Sequence, residues 1–165
     1  MEFIGIQKTF HFIQTNMANR EEIFPLLCPI READWIDGWE YNMIHSKSGL
    51  IEKNCVFSTP NHGNLETIWQ VIHYNKDTYS IEFVRVTPRE TIVKISIQLE
   101  SISNFKTRSI ISYQYTGLNE SQNKKIESSL EEEFIASMNY WENALNHYLK
   151  TGKKLLKNQA YYLKS

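Results

Sequence analysis

The stretch ESQNKKIESSLEEEFIASMNYWENALNHYLK, residues 120–150, decides the fold of this 165-residue chain. Large apolar side chains recur in it at steps of three and four residues, which keeps them on one face of an α-helix. About thirty residues at about 1.5 Å each make a helix of about 45 Å, far longer than an average globular helix. The pattern predicts one long amphipathic helix, capped by Asn119 and ended by Gly152. Its apolar residues are Ile126, Leu130, Phe134, Met138, Trp141, Leu145 and Tyr148.

The residues before this helix, from about Trp39 to Thr116, have the pattern of β-strands. Within 93–100, apolar residues alternate strictly with polar ones, which is typical of a sheet with one face in the core and one in water. Turns too short for a crossover join six strands in this region, so neighbouring strands are expected to be antiparallel. An earlier strand is expected near residues 6–15, and Pro25 and Pro29 predict two short helices after it.

This order of elements predicts an α+β fold. A curved antiparallel sheet of about seven strands has one apolar face to cover, and only the C-terminal helix is long enough to cover it. The expected architecture is a helix-grip fold, in which the sheet wraps around the long helix and encloses a cavity. A single domain is expected over residues 1–152. A basic C-terminal tail follows over 153–165, and a loosely attached solubilising terminus is favoured there over a membrane-binding or partner-binding helix.

Composition narrows the class of protein. Hydrophobic residues make up 41% and charged residues 22%, as in ordinary globular domains. The net charge of −1 argues against a nucleic-acid partner, which requires a concentrated positive surface. Cys28 and Cys55 have no metal-ligand spacing and are expected to be free thiols. With no signal peptide and no run of 18 apolar residues, the expectation is a cytoplasmic protein without integral membrane association, metal or cofactor.

Four segments of the chain resemble a known superfamily. They are Phe24–Glu32 (FPLLCPIRE), Trp35–Trp39, Ile81–Val86 (IEFVRV), and Trp141 with Leu145–Leu149. Together with the order of elements they resemble the START-like superfamily, also called SRPBCC, which includes pollen-allergen, polyketide-cyclase and lipid-transfer proteins, and more narrowly a bacterial branch of it. The resemblance covers residues 10–152. It implies the helix-grip fold with a hydrophobic cavity between the sheet and the long helix.

Candidate ligand-binding residues follow from assigning strand faces by alternation. Tryptophan and tyrosine offer an apolar body with a polar tip, and methionine makes an adaptable wall, so such side chains suit a pocket for an apolar ligand. Arg85, on the same face as Phe83, is a candidate to hold a ligand carboxylate or phosphate in a bidentate manner. The alternative is that the aromatic residues simply fill the core. The candidates are Trp35, Trp39, Tyr41, Met43, Trp69, Phe83, Arg85, Tyr113, Phe134, Met138 and Trp141.

Catalytic residues are left undetermined by the sequence. Cys28 is a conceivable nucleophile with Glu32 as a base, but no histidine lies beside them to lower the thiol pKa. A buried Cys28, with the charged residues of 31–34 paired on a helix surface or at the cavity mouth, is favoured. His45 and His73 fall on strand faces expected to point inward, yet their separation matches no metal signature.

Three functions remain open at this point. The favoured hypothesis is binding or transport of a hydrophobic, lipid-like or polycyclic small molecule in the cavity. Burying about 300 Å² of ligand at about 25 cal/mol/Å² contributes about 7 kcal/mol, enough for micromolar affinity. The second is a cyclase- or aromatase-type enzyme, with Glu32, His45 or Arg85 moving protons. The third, implied by the resemblance, is a protein-interaction module of the chaperone-activator kind. A weak homodimer is a further expectation.

Overall fold

The computed structural model describes residues 2–160 of the chain. In that range the N-terminal part holds one strand, two short α-helices and a 3₁₀ turn between them. These are β1 (Gln7–Asn16), α1 (Arg20–Ile23), the 3₁₀ turn (Phe24–Leu27) and α2 (Pro29–Trp35). Six strands follow: β2 (Asn42–His45), β3 (Val56–Pro60), β4 (Glu66–Asn75), β5 (Ser80–Thr87), β6 (Thr91–Ser103) and β7 (Lys106–Gly117). The C-terminal helices are α3 (Glu120–Ser128), α4 (Leu130–Thr151) and α5 (Lys157–Ala160).

The seven described strands form one antiparallel sheet in the order β1-β7-β6-β5-β4-β3-β2. Each strand pairs with its neighbour in sequence, apart from β1, which pairs with β7. The predicted α+β helix-grip fold, with seven antiparallel strands and two short helices after the first, is confirmed. The predicted alternation in β6 is confirmed as well, since Val93, Ile95, Ile97 and Leu99 are all buried.

The caps predicted at Asn119 and Gly152 are present, and Asn19 caps α1. Asn19 accepts a hydrogen bond from the Glu22 N–H at 2.9 Å and its amide donates back to the Glu22 carboxylate at 3.2 Å, so the two side chains form a reciprocal cap. Asn119 caps α3 by accepting from the Gln122 N–H at 2.8 Å. Gly152, at φ 68°, takes the left-handed conformation that ends α4.

The long C-terminal helix is interrupted, which the sequence did not predict. Ser129, at φ −109° and ψ −14°, separates α3 from α4. The Ser128 hydroxyl donates to the Lys124 carbonyl at 2.7 Å, a back-bond that bends helices. Ile126 before the break and Leu130 after it are both buried. Because the apolar stripe continues across the break, periodicity alone does not reveal it.

Side-chain hydrogen bonds anchor α4 over the sheet at the end of β1. The Gln14 amide donates to the Met138 carbonyl at 3.2 Å, and the Thr15 N–H donates to the Glu142 carboxylate at 2.8 Å. Asn146 donates to the Thr15 carbonyl at 3.0 Å. These contacts fix the height of the helix above the concave face, so the space beneath it has a defined shape.

The described part of the predicted tail is attached to the domain. Leu155 is buried, and it forms a parallel bridge with Ile36. The Lys157 N–H donates to the Asp37 carboxylate at 3.0 Å. The expectation of a loosely attached terminus is therefore wrong for residues 153–160. The domain boundary at residue 152 stays a prediction, and the remainder of the predicted tail, 161–165, lies outside the described residues.

The outer face of the sheet is less polar than β6 alone suggests. Ile13 of β1 and Ile110 of β7 are register partners, and they are 58% and 37% exposed. The polar alternation of β6 therefore does not extend to the β1–β7 edge.

Candidate functional site

A cleft of about 370 Å³ lies between the concave face of the sheet and the helices α3 and α4. It is lined by strands β4 to β7, by both helices, and by the β3–β4 and β5–β6 connections. The lining residues are Asn61, Thr67, Arg85, Thr87, Glu90, Thr91, Tyr113, Tyr115, Gln122, Lys125, Leu130, Glu133, Phe134, Ser137, Met138 and Trp141.

Helix α4 supplies the apolar wall of the cleft. Its four large lining residues succeed one another at steps of four, four and three, so they form one stripe along the helix. The ring of Phe134 is held between Phe10, with 5.6 Å between ring centres, and Tyr113, at 5.2 Å. The wall is thus fixed by packing before any ligand is bound. The four residues are Leu130, Phe134, Met138 and Trp141.

The sheet supplies a polar wall opposite this stripe. The hydroxyl groups of Thr67 and Thr87 lie 2.8 Å apart and hydrogen bond to each other. Tyr113 and Tyr115 project from the same face of β7. Burial raises the pKa of both phenols above the usual value, so both are neutral at physiological pH. The cleft therefore has one apolar and one hydrogen-bonding side.

Arg85 lies in the middle of the polar wall. Its guanidinium carbon is 5.2 Å from the ring centre of Trp69, 5.5 Å from that of Tyr113 and 5.9 Å from that of Tyr115. One of its nitrogens donates to the Tyr115 hydroxyl at 3.4 Å, a long hydrogen bond. The three ring faces hold the guanidinium by cation–π attraction, and most of its N–H groups have no acceptor within residues 2–160.

Paired side chains frame the opening of the cleft. The His62 ring contacts the Glu90 carboxylate, and the Asn61 amide donates to the same carboxylate at 3.4 Å, which joins the β3–β4 loop to the β5–β6 turn. On the helix side, the Lys125 ammonium lies 3.0 Å from the Glu133 carboxylate. Both lining carboxylates are thus paired with side chains other than Arg85.

Glu32 of α2 is an interior residue, which corrects the expected surface pairing of residues 31–34. Arg31 and Asp34 do pair on the surface, at 2.8 Å, but Glu32 turns inward and is 7% exposed. Burial raises the pKa of its carboxyl group to about 8. When ionised, it raises the pKa of the Tyr113 hydroxyl. Within residues 2–160 no side-chain hydrogen bond to this carboxyl group is present.

Five of the predicted ligand-binding residues meet at the main cleft. Arg85 and Tyr113 come from the sheet, and Phe134, Met138 and Trp141 come from α4. Their assignment as ligand contacts stays a prediction, but the fold brings all five to one space.

Two further predicted residues line a second cavity of about 470 Å³ on the other side of Arg85. Trp39 and Trp69 belong to it, with 6.3 Å between their ring centres. The second cavity shares Asn61, Thr67 and Arg85 with the main cleft. Arg85 therefore stands between the two spaces.

The remaining four predicted residues belong to neither cavity. Trp35 and Phe83 are buried in the core, and Tyr41 and Met43 are half-buried at its edge. Phe83 lies edge-on to Trp69, with 6.0 Å between ring centres. Trp35 and Phe83 thus fill the core, as the alternative interpretation of the aromatic residues expected.

The predicted inward orientation of His45 and His73 is wrong. A bulge between Val71 and His73 shifts the register of β4, so that His73 pairs with Glu82 on the outer face. A second irregularity precedes His45, which is exposed. Neither histidine faces the cleft.

Several lining residues were missed by sequence reasoning. Tyr115 follows Tyr113 at a spacing of two and was within reach of the alternation argument. Thr67 and Thr87 look like ordinary strand residues. Whether Lys125 lines the cleft depends on how α3 is placed after β7. Small polar residues become part of a site only through the fold that surrounds them.

No group of three His, Cys, Asp or Glu side chains within residues 2–160 is arranged to hold a metal ion. Both cysteines are buried free thiols, as expected. No helix in this range has both the length and the hydrophobicity needed to cross a membrane.

Comparison with known proteins identifies the fold. No family model and no curated protein matches the sequence. Solved structures do match: the Zhui aromatase/cyclase from Streptomyces sp. R1128 has a TM-score of 0.67 and 8% identity, with 91% of this chain and 100% of that chain covered. A hypothetical protein from Helicobacter pylori has a TM-score of 0.68 and 12% identity, with 87% of each chain covered.

Norcoclaurine synthase from Thalictrum flavum, in complex with dopamine and hydroxybenzaldehyde, has a TM-score of 0.65 and 13% identity, with 90% of each chain covered. The chain therefore has the helix-grip fold of the START-like (SRPBCC) proteins, as the sequence resemblance implied. At these identities the similarity establishes the fold alone.

Proposed function

We propose that the protein binds or transports a small, largely hydrophobic molecule, lipid-like or polycyclic, in the cleft between the sheet and α4. The observation that carries this proposal is the division of the cleft into two walls. The apolar stripe of Leu130, Phe134, Met138 and Trp141 faces the hydrogen-bonding wall of the sheet. A ligand with an apolar body and a few polar groups satisfies both walls at once.

The energetics of such binding are favourable. About 300 Å² of buried ligand surface at about 25 cal/mol/Å² contributes about 7 kcal/mol, before the cost of immobilising the ligand. The packed ring of Phe134 lowers that cost because the wall is ordered in advance. Micromolar affinity is the expectation.

Native mass spectrometry of protein purified without detergent tests this proposal. Ser137 lines the cleft, whereas its neighbour Ala136 does not, so Ser137→Trp fills the space and Ala136→Trp is a matched control on the same helix. The expected result is a discrete added mass in the wild type and the control that is absent from Ser137→Trp and lost on denaturation. An added mass retained in Ser137→Trp contradicts the proposal. If the wild type carries no ligand, the same three proteins are incubated with N-phenylnaphthylamine and compared.

A cyclase- or aromatase-type enzyme is the second candidate, and one observation favours it. Glu32 is a buried acid whose pKa of about 8 suits proton transfer near neutral pH, and when ionised it raises the pKa of Tyr113, which lines the cleft. The test is turnover of β-polyketone chain analogues by wild type and Glu32→Gln. Loss of turnover in Glu32→Gln with unchanged N-phenylnaphthylamine binding supports the enzymatic function. Absence of turnover by the wild type contradicts the enzymatic function and leaves ligand binding as the proposed function.

Three further expectations concern the location, the partners and the oligomeric state of the protein. A cytoplasmic location, the absence of a nucleic-acid partner and a weak homodimer remain predictions from composition. The chaperone-activator alternative would use the outer face, where Ile13 and Ile110 are exposed.

A further inference from the structure

Among residues 2–160, the Arg85 guanidinium of the cleft has no carboxylate partner. No carboxylate in residues 2–160 lies within 4.0 Å of the Arg85 guanidinium. The two carboxylates that line the cleft are engaged elsewhere, Glu90 with His62 and Glu133 with Lys125.

None of the other ionisable groups within residues 2–160 forms an ion pair with Arg85, including Glu40, which lines the second cavity with it. Tyr113 and Tyr115 are neutral phenols because burial raises the pKa of both. Glu32 is mostly protonated at neutral pH because burial raises its pKa to about 8. Within the described residues, the guanidinium therefore has no ion-pair partner in this partly enclosed space.

Three aromatic rings surround the guanidinium of Arg85. Its guanidinium lies over the rings of Trp69, Tyr113 and Tyr115, and its one hydrogen bond within residues 2–160 is the long contact to the Tyr115 hydroxyl. A guanidinium offers five N–H donors in a planar fork that matches an oxyanion. Cation–π stacking orients that fork without consuming its donors, so they remain available to a ligand.

We propose that Arg85 is the anion-binding group of the cleft and that the ligand is an amphipathic acid. Its carboxylate, sulfonate or phosphate group binds the guanidinium, and its apolar body lies against the stripe of Phe134, Met138 and Trp141. This inference rests on the proposed function and deepens it, because it names the chemical class of the ligand.

A matched pair of fluorescent probes tests the inference. Anilinonaphthalene sulfonate and N-phenylnaphthylamine share one aromatic skeleton and differ by the sulfonate. The wild type is expected to bind the sulfonate at least about tenfold more tightly than the uncharged probe, as a charge-assisted hydrogen bond in a partly enclosed site should provide. Arg85→Met is expected to remove that preference, so that its affinities for the two probes differ by less than about twofold. Lys94→Met, which removes an equal charge from the outer face, is expected to change neither affinity.

Each outcome decides a different question. Equal binding of the two probes by the wild type, or a sulfonate preference that survives in Arg85→Met, overturns the inference and leaves the proposed function standing. Failure of both probes to bind the wild type overturns the proposed function as well. If Arg85→Met does not fold, the wild type alone decides: the preference should persist up to about 0.5 M salt for an enclosed pair, and its disappearance would indicate surface attraction instead.

Discussion

The indole of Trp35 lies edge-on to the indole of Trp141, with 5.5 Å between the ring centres and 88° between the ring planes. Trp35 belongs to α2 and is 1% exposed, whereas Trp141 belongs to α4 and lines the cleft. One aromatic contact therefore joins the N-terminal helices to the end of the apolar wall. It links the stability of the core to the shape of the site.

Truncation of these two residues should have different consequences. Trp35→Ala removes a fully buried ring, whose N–H donates to the Leu26 carbonyl at 3.0 Å, and should lower the free energy of unfolding by about 3–5 kcal/mol. Trp141→Ala should cost less, because its ring borders open space, but should enlarge the cleft. Urea unfolding of both variants measures the difference. Equal losses of unfolding free energy would contradict the assignment of Trp35 to the core and of Trp141 to the cleft wall.

Glu32 should make stability depend on pH. Its pKa rises from 4.5 to about 8 on folding, so the folded state binds the proton more strongly. Stability is then highest below about pH 4.5 and falls as the pH rises to about 8, by up to about 1.4 kcal/mol per pH unit.

Glu32→Gln should remove this dependence. Its free energy of unfolding relative to wild type should rise between pH 5 and pH 8. Urea unfolding at several pH values in this range measures the change. Glu131→Gln, at an exposed position of α4, is the matched control and should parallel the wild type. Parallel curves for Glu32→Gln and wild type would mean that the buried acid is not protonated.

A close contact between Gly117 and Asn123 should appear as energetic coupling. The Asn123 side chain accepts from the Ile6 N–H at 2.8 Å and donates to the Ile4 carbonyl at 3.0 Å, which pins the N-terminal segment. A Cβ at residue 117 would lie 2.4 Å from the Asn123 side-chain oxygen. Gly117→Ala should therefore cost about 1–3 kcal/mol, and Asn123→Ala a similar amount.

The double variant separates the clash from the lost hydrogen bonds. Because Asn123→Ala removes the atom that Gly117→Ala would meet, the double variant should be more stable than the sum of the single effects predicts. Additive losses in urea unfolding would show that the backbone, and not this side chain, restricts residue 117.

The sequence predicted the fold and the centre of the site because both depend on regular patterns. Alternation from Phe83 placed Arg85 on the concave face, and the helical period placed Phe134 and Met138 opposite it. Where the pattern is interrupted, the prediction failed. The sequence does not indicate the bulge before His73, and this bulge reverses which side chains of β4 face the cleft after it. Glu32 was misplaced because α2 is only seven residues long, too short for periodicity to define a buried face.

The central claim is that a small molecule binds against the apolar stripe of α4, and the methyl group of Met138 is the most direct reporter of it. The chain has four methionines, of which Met138 lines the cleft and Met17 is exposed. Methyl NMR of methionine-labelled protein, assigned with Met138→Leu, can follow a titration with N-phenylnaphthylamine. The account predicts a saturable shift of the Met138 signal, caused by the aromatic rings of the probe, with the Met17 signal unmoved. Saturable binding that leaves the Met138 signal in place would contradict it.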